Sequence, residues 1–299
     1  MKKTLSVILA VLMALGCVLM LASCGGNTEE TTVAADDTTA AADDTTAAED
    51  DTTAAEDTTA AADTIVVGYT IYEPMNYKDE NQELVGFDTE LAKKVFENLG
   101  YQVIFQEIEW SSKYTDLNSN TIDCIWNGFT ANVADDDDGI LRAEKVDFSY
   151  NYMENRQVIV VKADSEIKSS EDLKGKFAVA ESGSAGETYA KSFEDVNFKG
   201  FIKQTECLTE IKSGTADFAV VDAQLAKAYV GKGDYADLKT VEELSSDVEY
   251  YAIGFRKGSD LTAKVNAELE ALAADGTLKT LAEKYGVANT VITDYADQK

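Results

Sequence analysis

Short apolar runs and stretches of helical spacing alternate along most of the chain. Ile65-Val66-Val67-Gly68-Tyr69 reads as a strand. Leu91, Val95, Phe96 and Leu99 then recur at helical spacing, with Asp88 as the expected N-cap and Gly100 closing the helix in the left-handed position. Val103–Ile108 is a second expected strand by its β-rich composition and partial alternation, and Asp123-Cys124-Ile125-Trp126 is a third. Gln157–Val161 is apolar enough to be buried on both faces, and Phe177-Ala178-Val179-Ala180 and Phe218-Ala219-Val220-Val221 repeat that pattern. Two helices close the chain, one through Leu261, Val265, Leu269 and Leu272, the other around Leu278–Tyr285 and ended by Gly286. This alternation predicts an α/β architecture with mainly parallel strands.

An internal echo refines the picture. Ser119-Asn120-Thr121-Ile122-Asp123 precedes one strand and Ser213-Gly214-Thr215-Ala216-Asp217 another, each after a short helix and each leading to a strand that ends in polar residues. The echo suggests two similar α/β lobes. Ligands of such sheets bind beyond the carboxyl ends of the strands and at domain interfaces, so polar residues at those ends are the candidates.

The pattern breaks down before residue 64. Lys2 and Lys3 precede an apolar run from Leu5 to Leu21 that ends in Leu21-Ala22-Ser23-Cys24-Gly25. The run is marginally short for a transmembrane anchor, which needs about 20 residues, and its small-residue end fits a cleaved signal over residues 1–23. Leu-Ala-Ser-Cys resembles a bacterial lipobox, which implies diacylglycerol on the Cys24 thiol and a tether on the outer face of the cytoplasmic membrane. Residues 24–63 then form a spacer close to a repeat of Asp-Asp-Thr-Thr-Ala-Ala. From Asn27 to Asp63 it carries 12 acids, no bases and no aromatic residues, and is expected to be extended and disordered.

Charge and composition remove several function classes. With 55 acids, 26 bases and a net charge of −29, the chain is unsuited to nucleic acid or anionic lipid head groups. It has no histidine, which excludes Ser–His or Cys–His nucleophile activation and a His-ligated zinc. Cys124 and Cys207, the cysteines beyond the leader and the lipid site, suit either an exported disulfide or two buried free thiols, the blander reading being preferred.

Glu83-Leu84-Val85-Gly86-Phe87-Asp88-Thr89-Glu90-Leu91-Ala92 resembles a signature of the family 3 extracellular solute-binding proteins, the polar amino-acid receptors of ABC importers. Ile122–Thr130, Arg142–Ser149, Leu173–Glu187 and Asp217–Asp222 fit the same family in the same order, so the resemblance covers residues 64–299. It implies a two-lobed periplasmic-binding-protein-like fold of type II, with one lobe from residues 64–157 plus 254–299, the other from 158–253, and an amino acid enclosed between them. It further implies a monomer that serves an ABC permease and its ATPase, is no enzyme and needs no cofactor. The crossovers are expected near Arg156–Val160 and Tyr250–Phe255.

The resemblance assigns roles, and chemistry gives them reasons. Arg142 matches the carboxylate-binding arginine, whose planar fork suits a carboxylate as lysine does not. Asp222 matches the ammonium acceptor, although it also stands where it could cap the following helix. Asn127, Gly128 and Thr130 match positions that offer carbonyls to the ammonium and a hydroxyl and N–H to the carboxylate, while Asn-Gly alone would be a turn pair. Ser184 and Ala185 lie in Ser182-Gly183-Ser184-Ala185-Gly186-Glu187, whose N–H groups at a helix start suit an anion; relatives often carry a second hydroxyl where Ala185 stands. Tyr72 and Trp110 match the aromatic pair around the ligand side chain, or are core residues. Glu181 faces the variable side chain in relatives and would favour a cationic or amide-bearing ligand.

Between Thr130 and Arg142 the chain is longer than most relatives, and the extra residues include Asp135-Asp136-Asp137-Asp138-Gly139. The run fails as a calcium loop, since its end positions would be Ala134 and Lys145. A solvated acidic loop is expected, and the direction of Arg142 is left open. An amino-acid-sensing module of a signalling system, or a dehydratase-like enzyme on the same fold, are the alternative functions.

Overall fold

The computed structural model describes residues 63–135 and 137–299. The leader, Cys24 and nearly all of the acidic spacer lie outside the described residues.

Two five-stranded sheets organise the described chain. In the first, the spatial order is Gln102–Glu107, Thr64–Tyr69, Cys124–Ile125, Gly254–Phe255, Asp147–Phe148. The second runs Asn197–Phe201, Phe177–Glu181, Phe218–Asp222, Gln157–Lys162, Leu238–Val241. In each, three parallel strands are followed by antiparallel neighbours. The core strands of the second sheet are buried on both faces, as their unbroken apolar runs predict. Between the sheets the chain crosses twice, through Met153–Asn155 and Glu249–Tyr251, which pair antiparallel. The paired crossover therefore lies slightly ahead of the predicted positions, because Gln157 already belongs to the second sheet.

The internal echo has a structural counterpart. Asp123 accepts the backbone N–H of Val66 at 2.9 Å, and Asp217 accepts that of Phe177 at 2.8 Å, each tying the start of the third strand in the order above to the second. Ser119 and Thr121 hydroxyls pair at 2.9 Å, as do those of Ser213 and Thr215. Each lobe thus fastens its central turn in the same way.

The helix Phe87–Asn98 buries Phe87, Leu91, Val95 and Phe96, each contributing roughly 1.5–3 kcal/mol by burial. Gly100, at φ 86, closes it as its sequence predicts. Its start departs from expectation: the N-cap is Gly86, and Asp88 sits inside the first turn. The Asp88 carboxylate instead accepts the Gly128 N–H and the Tyr152 hydroxyl, both at 2.9 Å. Burial raises its pKa to about 7 against those two bonds. Asp88 is a buried brace under the Asn127–Gly128 turn rather than a cap. Cys124 and Cys207 are free, buried thiols.

Candidate functional site

The strands Cys124–Ile125, Phe177–Glu181 and Phe218–Asp222 end at a narrow cleft between the lobes. Tyr72, Trp110, Asn127, Gly128, Thr130, Arg142, Glu181, Ser184, Ala185 and Asp222 all line it. Gln204, which the sequence reading missed, completes the wall. It begins the helix Gln204–Ser213 just after the exposed Ile202 and the half-buried Lys203, so nothing in its sequence context distinguishes it from a solvent-facing residue.

Arg142 is 1% exposed, despite the longer segment before it. Its Nε donates to Asp135 Oδ1 at 2.8 Å, Nη1 to the Thr130 carbonyl at 3.1 Å and Nη2 to the Gly183 carbonyl at 3.2 Å. Asp135 is itself buried, whereas Asp137 and Asp138 are exposed, so the expected solvated acidic loop describes only part of the segment. Lys113, a second cation from the first lobe, also donates to the Gly183 carbonyl, at 2.9 Å, and lies 5.1 Å from the centre of the Trp110 ring. Burial foremost, then the Arg142 charge, lowers its pKa to about 7. Two cations of one lobe thus converge on one carbonyl of the other.

Across the cleft, Asp222 occupies the N-cap position of Ala223–Tyr229 but makes no side-chain cap bond. Its oxygens go to the site. Oδ1 accepts from Asn155 and Gln157, each at 2.7 Å, and Oδ2 from Gln204 at 2.5 Å. Burial raises its pKa in spite of these amides, because none of them carries charge. Glu249 Oε2 shares the same donors, Gln157 at 2.9 Å and Asn155 at 3.3 Å, and takes the Thr130 hydroxyl at 3.2 Å. Burial and the nearby Asp222 raise Glu249 to about 7. Carboxylates backed by amides are aligned yet not neutralised, which suits them to receive a cation.

The remaining walls are fixed by packing. The Asn127 side chain is fully engaged: Nδ2 donates to Asn76 and to the Thr70 carbonyl, and Oδ1 accepts from Thr70. Only its backbone is left to face a ligand. Gly128 has φ +59, and a Cβ there would lie 2.7 Å from the Tyr72 ring, so the turn requires glycine. Tyr72 is in turn held by a 2.7 Å hydroxyl contact with Tyr251. Trp110 packs edge-on against Phe129 at 5.3 Å. Ser184 caps the helix Ala185–Lys191, its Oγ accepting the Glu187 N–H at 3.1 Å.

Glu181 is buried, and burial first, the Asp222 charge second, raises its pKa to about 8. An ordinary glutamate titrates near 4.5, so the folded chain holds a proton that the unfolded chain has released. The sign follows: this stability is present in acid and is lost as pH rises from about 5 through 8. The ligand-free melting temperature should therefore fall over that range. Glu181→Gln should flatten part of the fall in a differential scanning fluorimetry series; an unchanged slope would remove Glu181 as its source.

This geometry, two α/β lobes joined by paired crossovers around a polar cleft, is that of a two-lobed binding protein of type II. Residues 65–288 match the model of the bacterial extracellular solute-binding proteins, family 3, and the chain belongs to that family. Among its relatives, the arginine-binding extracellular protein ArtP of Bacillus subtilis is 33% identical over 217 residues, 72% of this chain and 82% of ArtP. The L-cystine-binding protein TcyA of the same organism is 31% identical, over 72% of this chain and 77% of TcyA. Among solved structures, an ancestral arginine-binding protein bound to arginine is 37% identical with a TM-score of 0.67, covering 74% of this chain and 97% of that one. The same kind of ancestral protein bound to glutamine gives 38% and 0.68, over 75% and 98%.

Proposed function

We propose that this chain is the extracytoplasmic receptor of an ABC importer and captures a single amino acid by closing its lobes. The carrying observation is that Arg142 and Asp222, attached to different sheets, line one cleft. Arg142 takes the ligand carboxylate, helped by Thr130, Ser184 and the Ala185 backbone. Asp222 takes the ammonium with the carbonyls of Asn127 and Gly128. Tyr72 and Trp110 flank the side chain. Ligand contacts to both lobes supply the differential affinity that favours closure. The importer's permease and its ATPase are the partners, Cys24 carries the lipid anchor, and the receptor works as a monomer without cofactor or catalysis.

The ligand is a cationic amino acid in this reading. Glu181, Asp222 and Glu249 place three buried acids in or behind the cleft, and Arg142 already has Asp135. A second positive charge on the ligand displaces the proton of Glu181 and pairs with its carboxylate. The arginine-binding relatives support the same assignment.

A ligand that binds only the folded state raises the melting temperature, by about 2.7 kcal/mol of stabilisation at a hundredfold excess over Kd. Isothermal calorimetry and thermal shift with arginine, lysine, histidine, glutamine and aspartate test the proposal. Arginine and lysine are expected to bind most tightly. Preference for aspartate would remove Glu181 from the specificity argument, and no binding across all twenty amino acids would end the proposal.

A further inference from the structure

We infer that Asp135, supplied by the acidic segment this chain carries between Thr130 and Arg142, is a positioning residue that holds the Arg142 guanidinium for the ligand carboxylate; the inference rests on the proposed function. Arg142 opens a single four-residue helical turn, Arg142–Lys145, so its long side chain has little regular structure behind it. The preceding segment compensates by folding back on itself. Ala134 bridges Leu141, the Asp135 N–H donates to the Ile140 carbonyl at 3.0 Å, and the Arg142 N–H donates to that of Val133 at 3.1 Å. This short antiparallel clasp delivers the Asp135 carboxylate, 8% exposed, to Arg142 Nε at 2.8 Å. Its other oxygen receives Lys145 Nζ at 2.8 Å, which fixes the carboxylate from the opposite side. Lys145 also pairs with the exposed Asp138.

The consequence for recognition is geometric. A guanidinium has five N–H donors, and a carboxylate can approach it side-on through Nε or end-on between the terminal nitrogens. Asp135 occupies Nε, Thr130 one donor of Nη1 and Gly183 one of Nη2. One N–H on each terminal nitrogen is left, so the ligand carboxylate meets Arg142 end-on. Burial alone would raise the Asp135 pKa, but Arg142 and Lys145 outweigh it and hold the group at about 2, so the brace stays charged at every working pH. Precise support of a binding group by its neighbours is what keeps such a contact in register.

The test compares each amino acid with its carboxamide in the full chain. Probes are L-arginine, L-glutamine and L-histidine, each paired with its amide, titrated by calorimetry into wild type, Asp135→Asn, Asp135→Ala, Asp135→Glu and Asp138→Asn. Asp138→Asn removes the same charge from the same segment without touching Arg142. Asp135→Asn and Asp135→Ala are expected to lose about tenfold or more in affinity for the free amino acid, with less than about threefold change for the carboxamide. Asp135→Glu should recover part of the loss, and Asp138→Asn should resemble wild type. If Asp135→Ala fails to fold, the contrast between the Asn and Glu variants carries the same reading. Equal losses for acid and amide, a tighter free acid, or equal effects of Asp135→Asn and Asp138→Asn overturn the inference. A wild type that binds none of the twenty amino acids overturns the proposed function instead and takes the inference with it.

Discussion

Asp222→Ala and Arg142→Ala should each abolish the ligand-induced rise in melting temperature. Truncating one partner of a buried, hydrogen-bonded charge pair costs about 2–5 kcal/mol, which is roughly thirty-fold to several thousand-fold in Kd. The Asp222 variant is expected to fold, because Asn155 and Gln157 retain Glu249 as an acceptor and Gln204 Oε1 keeps the backbone N–H of residue 222. Arg142→Ala strands Asp135 next to Lys145, which still neutralises it. Arg142→Lys should be intermediate, since it keeps the charge and loses the fork. Thermal shift with saturating arginine, checked by calorimetry, reads all three. An undiminished shift in both alanine variants would overturn the assignment of the two charges.

Gly86→Ala should cost about 3–5 kcal/mol of stability, at the upper end of single substitutions, and lower the melting temperature by roughly 10 °C for a lobe pair of this size. Gly86 has φ 126 and ψ 167, a region essentially closed to other residues. A Cβ there would also run into the backbone carbonyl of Met75. The Phe87, Asp88 and Thr89 N–H groups depend on that approach, donating to the Pro74 and Met75 carbonyls at 2.9 to 3.3 Å. A melting temperature within 2 °C of wild type would show that the turn relaxes. The glycine of the Leu-Val-Gly-Phe-Asp motif is thus explained by backbone contact.

The strands Phe177–Glu181 and Phe218–Asp222 were legible because each is an apolar run ending at an acid, and that ending also marks the cleft. Asp147–Phe148, Asn197–Phe201, Leu238–Val241 and Gly254–Phe255 carry no such run and were not read. Glu181 and Asp222 are the last residues of their strands, and Asn127-Gly128 follows another after the single residue Trp126. Asp88 was misread because an acid before an apolar helical stripe is an ordinary cap, while its true partners, Gly128 and Tyr152, are 40 and 64 residues away. Lys113, Gln204 and Glu249 were missed for a related reason. Each is a polar residue in an unremarkable local setting, with partners 18 to 92 residues away in the chain. Asp135 was read as solvated because four consecutive acids normally are, and only the clasp from Val133 to Arg142 turns one of them inward.

The position of Gly254–Phe255 between Cys124–Ile125 and Asp147–Phe148 has a consequence for biogenesis. A polypeptide threaded outward amino end first can complete its second sheet once residue 241 has emerged, since all five of those strands lie between residues 157 and 241. The first sheet lacks an interior strand until residue 255 is delivered. The half that begins earlier in the chain therefore finishes later, and must wait with an open seam while its sibling matures. Unpaired strand edges are exposed to aggregation in that interval.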